Sequence, residues 1–126
     1  MSVTYFIKDG VVIFVPAGQY GLDDLKAAYD AALSDPGFVT PMQIFVDARE
    51  SRVNPPIEEL RESAKFFGSM RPHFCEPWVI VVSEPLRYGL ARMLSVFVEA
   101  YGLNIQVFRD TEEAWVVLQN NVENCG

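Results

Sequence analysis

The sequence predicts an α/β protein with a mixed β-sheet of about five strands and four helices. The chain opens with two β-rich runs joined by Asp9-Gly10, a pair typical of a two-residue hairpin turn. After this hairpin, short apolar runs alternate with longer segments whose apolar residues recur at helical spacing. The apolar runs lack polar alternation, which is typical of parallel strands buried on both faces. We therefore expect one antiparallel N-terminal strand and a parallel remainder.

The first elements along the chain are the hairpin strands Val3–Lys8 and Val11–Val15 and a helix over about Leu22–Ser34. Gly10 accommodates the positive φ that a type I′ turn requires. Asp35-Pro36-Gly37 then ends the helix, because proline and glycine both interrupt helical backbone.

Strand-then-helix units make up the rest of the chain. Their predicted strands are Gln43–Ala48, Trp78–Val82 and Ile105–Phe108. Their helices are one capped by Asn54 and opening with Pro55-Pro56, a long one over Pro85–Tyr101 ended by Gly102, and a last one for which Asp110 and Glu113 stand at capping-box spacing. We expect residues 1–119 to form one domain and residues 120–126 a frayed polar tail.

Composition and residue spacing disfavour several classes of function. Seventeen acidic against ten basic residues give a net charge of −7, which disfavours nucleic-acid binding and general adhesion to anionic membranes, but leaves local membrane contact open. No basic leader or long apolar run is visible. One histidine, His73, and the two distant cysteines, Cys75 and Cys125, have no zinc spacing, so no metal is expected. We expect free thiols and a cytoplasmic location.

Three segments look like parts of a group of small bacterial STAS-like proteins. They are Phe45-Val46-Asp47-Ala48-Arg49, Tyr88-Gly89-Leu90-Ala91-Arg92-Met93, and Val107-Phe108-Arg109-Asp110 leading into Glu113-Ala114-Trp115. The order of elements resembles the STAS/SpoIIAA-like fold, a right-handed superhelix of β-α units that is broadly shared with CRAL-TRIO lipid-carrier domains. The resemblance implies a non-enzymatic regulatory domain that binds a protein partner and needs no cofactor. The CRAL-TRIO relationship implies an alternative, a carrier or sensor of a small apolar or amphipathic ligand.

The chain departs from the anti-sigma-factor antagonists of that family at one position. Those proteins carry a phosphorylatable serine at the start of a helix, in an Asp-Ser-Ser-Gly-like context. Here Ser51 lies several residues before the predicted helix and lacks the following glycine. The resemblance therefore does not imply a phosphorylation switch of the antagonist type.

The loops after the predicted parallel strands carry the candidate binding residues, which we call the carboxyl rim. They are Asp47, Arg49, Arg52, Ser83, Arg87, Tyr88 and Arg109. Ligands of open α/β sheets bind outside the carboxyl ends of the strands, and helix N-termini there favour anions. The carboxyl rim is thus a candidate site for a carboxylate, a phosphate or an acidic partner. The alternative is that its aspartate caps a loop and its arginines form solvated surface pairs.

The predicted helix over Pro85–Tyr101 is apolar around more than one side. It is either a central core helix or a surface that pairs with a second subunit, a lipid or a membrane. We expect a homodimer in which Ala91, Val98 or neighbouring apolar residues of this helix are buried between subunits.

Nothing in the sequence forms a convincing catalytic constellation. His73 and Cys75 are two residues apart, and no second histidine or nucleophile elbow accompanies them. A much weaker alternative is an enzyme that acts through Asp47, Arg87 and Tyr88.

Overall fold

The structure, a computed structural model, describes residues 2–125, without the side chains of residues 123 and 124. Five strands lie side by side in chain order in a single sheet. They are β1 (Val3–Lys8), β2 (Val11–Pro16), β3 (Met42–Asp47), β4 (Phe74–Val81) and β5 (Ile105–Phe108). Strands β1 and β2 pair antiparallel, and the three remaining pairs, β2–β3, β3–β4 and β4–β5, are all parallel. The predicted mixed sheet is confirmed.

Four helices of ten residues or more connect or follow these strands. They are α1 (Leu22–Leu33), α2 (Ile57–Ser69), α3 (Pro85–Phe97) and α4 (Thr111–Asn120). A short α5 (Val122–Cys125) follows, and 3-10 turns cover Arg71–His73 and Val98–Tyr101. The predicted long helix is therefore α3 continued by one tighter turn, which ends at Gly102 with φ of 74°.

The predicted cap of α2 is wrong. The capping position is Pro56, in extended backbone with φ of −70° and ψ of 167°, and not Asn54. Each proline disfavours helical backbone in the residue that precedes it, so the segment before Ile57 stays extended. The helix therefore begins after the second proline.

Helices cover both faces of the sheet. On β2, Val12 and Phe14 belong to a large core under α1, α2 and α3, whereas Val11 and Ile13 belong to a smaller core under α4. Successive strand residues point to opposite faces, so both faces of one strand are buried. On the smaller side, Trp115 of α4 stacks on Phe45, with ring centroids 4.6 Å apart.

Two expectations about the chain's surface and its tail are corrected. Val98 is fully buried in the large core, so it has no surface left for a second subunit. Cys75 and Cys125 form a disulfide, with Cα atoms 5.3 Å apart, because the turn after α4 brings α5 back over the start of β4. The cysteines are therefore not free, and the part of the predicted tail that the structure describes is helical.

Candidate functional site

A cavity of about 140 Å³ lies between the sheet and the helices α1, α2 and α3. Its sheet side is formed where β2, β3 and β4 end, at Pro16, Ala48 and Val82. This is the carboxyl edge of the parallel strands, where ligands of open α/β sheets bind. Each of the three helices follows a loop from its strand, and residues of these loops also line the cavity.

The floor and walls of the cavity are apolar. Phe14, Val46 and Ile80 point into it from the sheet, and all three are buried. Leu60 and Leu94 close it from α2 and α3. Walls of this kind favour contact with apolar groups over contact with water, since they offer water no hydrogen-bond partners.

The mouth of the cavity is polar. The hydroxyls of Tyr20 and Ser51 share a hydrogen bond of 2.8 Å. The pKa of Tyr20 is raised, mainly by burial and to a smaller extent by the charge of Glu59. The hydrogen bond with Ser51 and the charge of Arg87 act in the opposite direction and lower this pKa. Both charged groups thus act on the Tyr20 hydroxyl, and both line the cavity.

Arg87 lies in the first turn of α3, with its side chain only 18% exposed. Its Nη1 donates a hydrogen bond of 3.2 Å to Glu84, which also caps the helix by accepting from the backbone N–H of Leu86 and Arg87. Those N–H groups lower the pKa of Glu84. The Nε of Arg87 is buried and has no hydrogen-bond partner among residues 2–125.

Trp78 supplies a second buried donor. Its side chain lines the cavity from β4 and is 1% exposed, and within the described chain its Nε1 also lacks a partner. Buried donors are normally satisfied, so each unpaired one needs an explanation. Trp78 and Arg87 are thus the two cavity-lining residues with a buried donor that has no partner in the described chain.

The structure divides the carboxyl rim into two places. Arg87 lines the cavity, whereas Arg49, Arg52, Ser83 and Arg109 line a shallow depression beside it. Arg49 forms two hydrogen bonds of 2.8 Å with Asp47, and this is the main cause that lowers the pKa of Asp47. The four arginines therefore do not form the single anion site that the sequence predicted.

The other cations of the rim are largely occupied as well. Arg52 lies 3.8 Å from a carboxylate oxygen of Glu50. Arg109 lies over the ring of Tyr88, 5.2 Å from its centre, and forms no ion pair with the part of the chain described. The depression thus keeps one arginine without a carboxylate.

Several residues of the cavity were not predicted from the sequence. Tyr20 belongs to the loop after β2, whereas the candidates predicted from the sequence all follow later strands. The same strand-end rule applied to β2 would have found it. Ala91, expected between subunits, is half-buried and lines the cavity.

The remaining candidates do not form a site. His73 precedes β4 and therefore lies at the opposite edge of the sheet from the cavity. No group of three metal-ligating side chains occurs in the described part of the chain. Within residues 2–125, no helix has the length and apolar character needed to cross a membrane.

No family model, curated protein or solved structure matches the chain.

Proposed function

We propose that this protein is a non-enzymatic binding domain that holds a small, mainly apolar molecule in the cavity under α1, α2 and α3. The observation that carries the proposal is the cavity of about 140 Å³ with apolar walls. An engineered apolar cavity of about 150 Å³ in another protein binds benzene, which sets the size of ligand that fits. The protein would then act as a carrier or a sensor of that ligand.

The location of the cavity supports the interpretation that it is a ligand site and not a void left by imperfect packing. Protein cores pack to high density, and voids larger than a water molecule are few. This void lies at the strand ends where α/β domains bind ligands, and its mouth carries hydroxyls and charges. A domain of this size would gain stability by filling it, so its presence favours a use for the space.

The test is titration of the ¹⁵N-labelled protein with toluene, followed by nuclear magnetic resonance. We expect the indole N–H signal of Trp78 to move, because Trp78 lines the cavity. The signal of Trp115, on the opposite face of the sheet, should stay.

A filled cavity provides the matched variant. Ala91→Leu adds volume inside the cavity, whereas Ala27→Leu makes the same change on an exposed position of α1. Toluene should shift Trp78 in Ala27→Leu and leave it unmoved in Ala91→Leu. Equal responses of the two variants, or no response of the wild type, would refute the proposal.

A second candidate is a STAS-like regulatory module that binds an acidic protein partner at the shallow depression. The observation that favours it is Arg109, which has Ser83 and Thr111 beside it and forms no ion pair among the described residues. Inorganic phosphate is a simple probe. It should shift the amide signals of Ser83 and Thr111, and Arg109→Gln should abolish the shifts while Arg92→Gln, exposed on α3, should not. Unchanged shifts in Arg109→Gln would count against this surface.

A further inference from the structure

The chemistry of the cavity's mouth identifies the class of ligand, provided that the cavity binds one as proposed above. Arg87 is the one cationic side chain that lines the cavity in the described chain. Glu84 holds its Nη1 and so fixes the guanidinium against the start of α3. The Nε is left buried without an acceptor. An unpaired donor on a charged group costs more than one on a neutral group, so an anionic acceptor there is strongly favoured.

Both unpaired groups at the cavity are donors. Two residues that line the cavity have a buried polar atom with no partner in the described chain, Arg87 at Nε and Trp78 at Nε1, and both atoms carry N–H. A protonated ligand amine would offer Arg87 no acceptor, whereas a carboxylate has two oxygens that accept. The guanidinium therefore favours a ligand whose polar group is an acceptor.

The hydroxyl pair adds a third donor. Tyr20 and Ser51 carry two hydroxyl hydrogens, and their mutual bond uses one of them. The other hydrogen can point to a ligand. The pKa of Tyr20 is raised, mainly by burial, so the phenol keeps its proton at neutral pH.

Two carboxylates oppose an anion here. Glu84 already forms an ion pair with Arg87, and Glu59 lines the cavity from the first turn of α2 and is half-buried. Its carboxylate would attract an amine and repel an acid, so it defines the competing possibility. Against it stand the guanidinium of Arg87 and the N-termini of α1 and α2, whose dipoles favour negative charge, while the first N–H groups of α3 already donate to Glu84.

We propose that the cavity binds a small aromatic or branched aliphatic carboxylic acid as its carboxylate. The apolar body lies between Phe14, Leu60 and Leu94, and the carboxylate lies at the mouth, where it accepts from Arg87 and from the Tyr20–Ser51 pair. The volume limits the body to about the size of one benzene ring.

The experiment compares benzoate, toluene and benzylamine, which share one ring and differ in the charged group. Dissociation constants are measured by the shift of the Trp78 indole signal at pH 7. Benzoate should bind at least about tenfold more tightly than toluene, since a charge-assisted bond to arginine adds at least that factor. Benzylamine should bind more weakly than toluene.

Three variants test which residues produce the preference for benzoate over toluene. Arg87→Met keeps the apolar stem, so it should reduce benzoate binding about tenfold or more and leave toluene binding unchanged, which also shows that the variant is folded. Glu59→Gln should leave benzoate binding equal or tighter. Arg92→Met, the same change at an exposed position of α3, should have no effect.

Each outcome decides a separate question. Toluene binding without a preference for benzoate, or benzoate binding that survives Arg87→Met, overturns the carboxylate and leaves the apolar cavity site standing. Tighter binding of benzylamine that is lost in Glu59→Gln also overturns it, in favour of an amine. If none of the three compounds shifts Trp78, the cavity itself is not a binding site.

Discussion

The turn between β1 and β2 depends on the backbone of two residues. Asp9 has φ of 53° and Gly10 has φ of 78°, both in the left-handed region. A Cβ on Gly10 would meet no other atom within 4 Å, so only backbone strain opposes a side chain there. We expect Gly10→Val to lower the free energy of unfolding by about 1 kcal/mol or more in urea denaturation. Gly10→Asn should cost clearly less, because asparagine tolerates this region, and equal losses would contradict the explanation.

Glu84 gives a prediction about acid stability. The backbone N–H groups of Leu86 and Arg87 lower its pKa in the folded protein. A carboxyl with a lowered folded pKa contributes stability above its unfolded pKa, and this contribution is lost as pH falls through the folded value. Between pH 6 and pH 2, the free energy of unfolding should therefore fall less steeply in Glu84→Gln than in the wild type. Glu99→Gln, at an exposed position, should keep the wild-type slope.

At the residue scale, the sequence predicts what neighbours along the chain decide. The Asp9-Gly10 turn is such a case and is confirmed by the positive φ of both residues. The pairing of Cys75 with Cys125 joins residues 50 positions apart, and no local signal connects them. Tyr20 and Ser51 meet across 31 positions for the same kind of reason.

At the element scale, two helical glycines have opposite surroundings. A Cβ on Gly68 of α2 would lie 2.7 Å from the Cβ of Tyr101, whereas a Cβ on Gly89 of α3 would meet nothing within 4 Å. The Cβ of Tyr101 is tied to its backbone, so the turn after α3 has to shift. Gly68→Ala should therefore destabilise the protein by about 1 to 3 kcal/mol. Gly89→Ala should stabilise it by up to about 1 kcal/mol, and the same sign for both in chemical denaturation would contradict the predicted contact.

The elements themselves were largely predictable, and their contacts were not. Periodicity located every strand and the four longer helices, with ends that differ by a few residues. The cavity is lined by residues of three helices and four strands, a combination that no single segment encodes. Arg87 was predicted at the carboxyl rim, but the strand-end rule alone did not distinguish a deep cavity from the shallow depression next to it.

At the scale of the whole molecule, the disulfide ties the C-terminal helix to the sheet. It closes a segment of 50 residues, and α5 packs on β3 and β4. We expect Cys125→Ser to lower the free energy of unfolding by about 2 to 4 kcal/mol relative to the oxidised wild type. A reductant should lower the stability of the wild type by the same amount as Cys125→Ser does, and it should leave the stability of the variant unchanged. Alkylation of both cysteines in the native, unreduced protein would contradict the bond. The pairing also removes the argument from free thiols for a reducing compartment, so the cytoplasmic location stays a prediction.

The homodimer also stays a prediction, but Val98 cannot belong to its surface, which leaves other apolar residues of α3. α4 already covers the second face of the sheet, and Val98 is fully buried in the large core. On α3, Leu86, Met93 and Val96 recur at the spacing of a coiled-coil seam, and Leu86 and Val96 are 57% and 58% exposed.

Sedimentation of three proteins tests this surface. We expect a wild-type dimer, a folded monomer of 14.2 kDa for Val96→Glu, and loss of folding for Val98→Glu, because a carboxylate at a fully buried position has no partner. Val116→Glu, at a position 51% exposed on α4, should remain dimeric. A wild type that sediments as a monomer at micromolar concentration would refute the dimer. The exposed side chains of α3 would then need no second subunit, since scattered apolar residues are ordinary on protein surfaces.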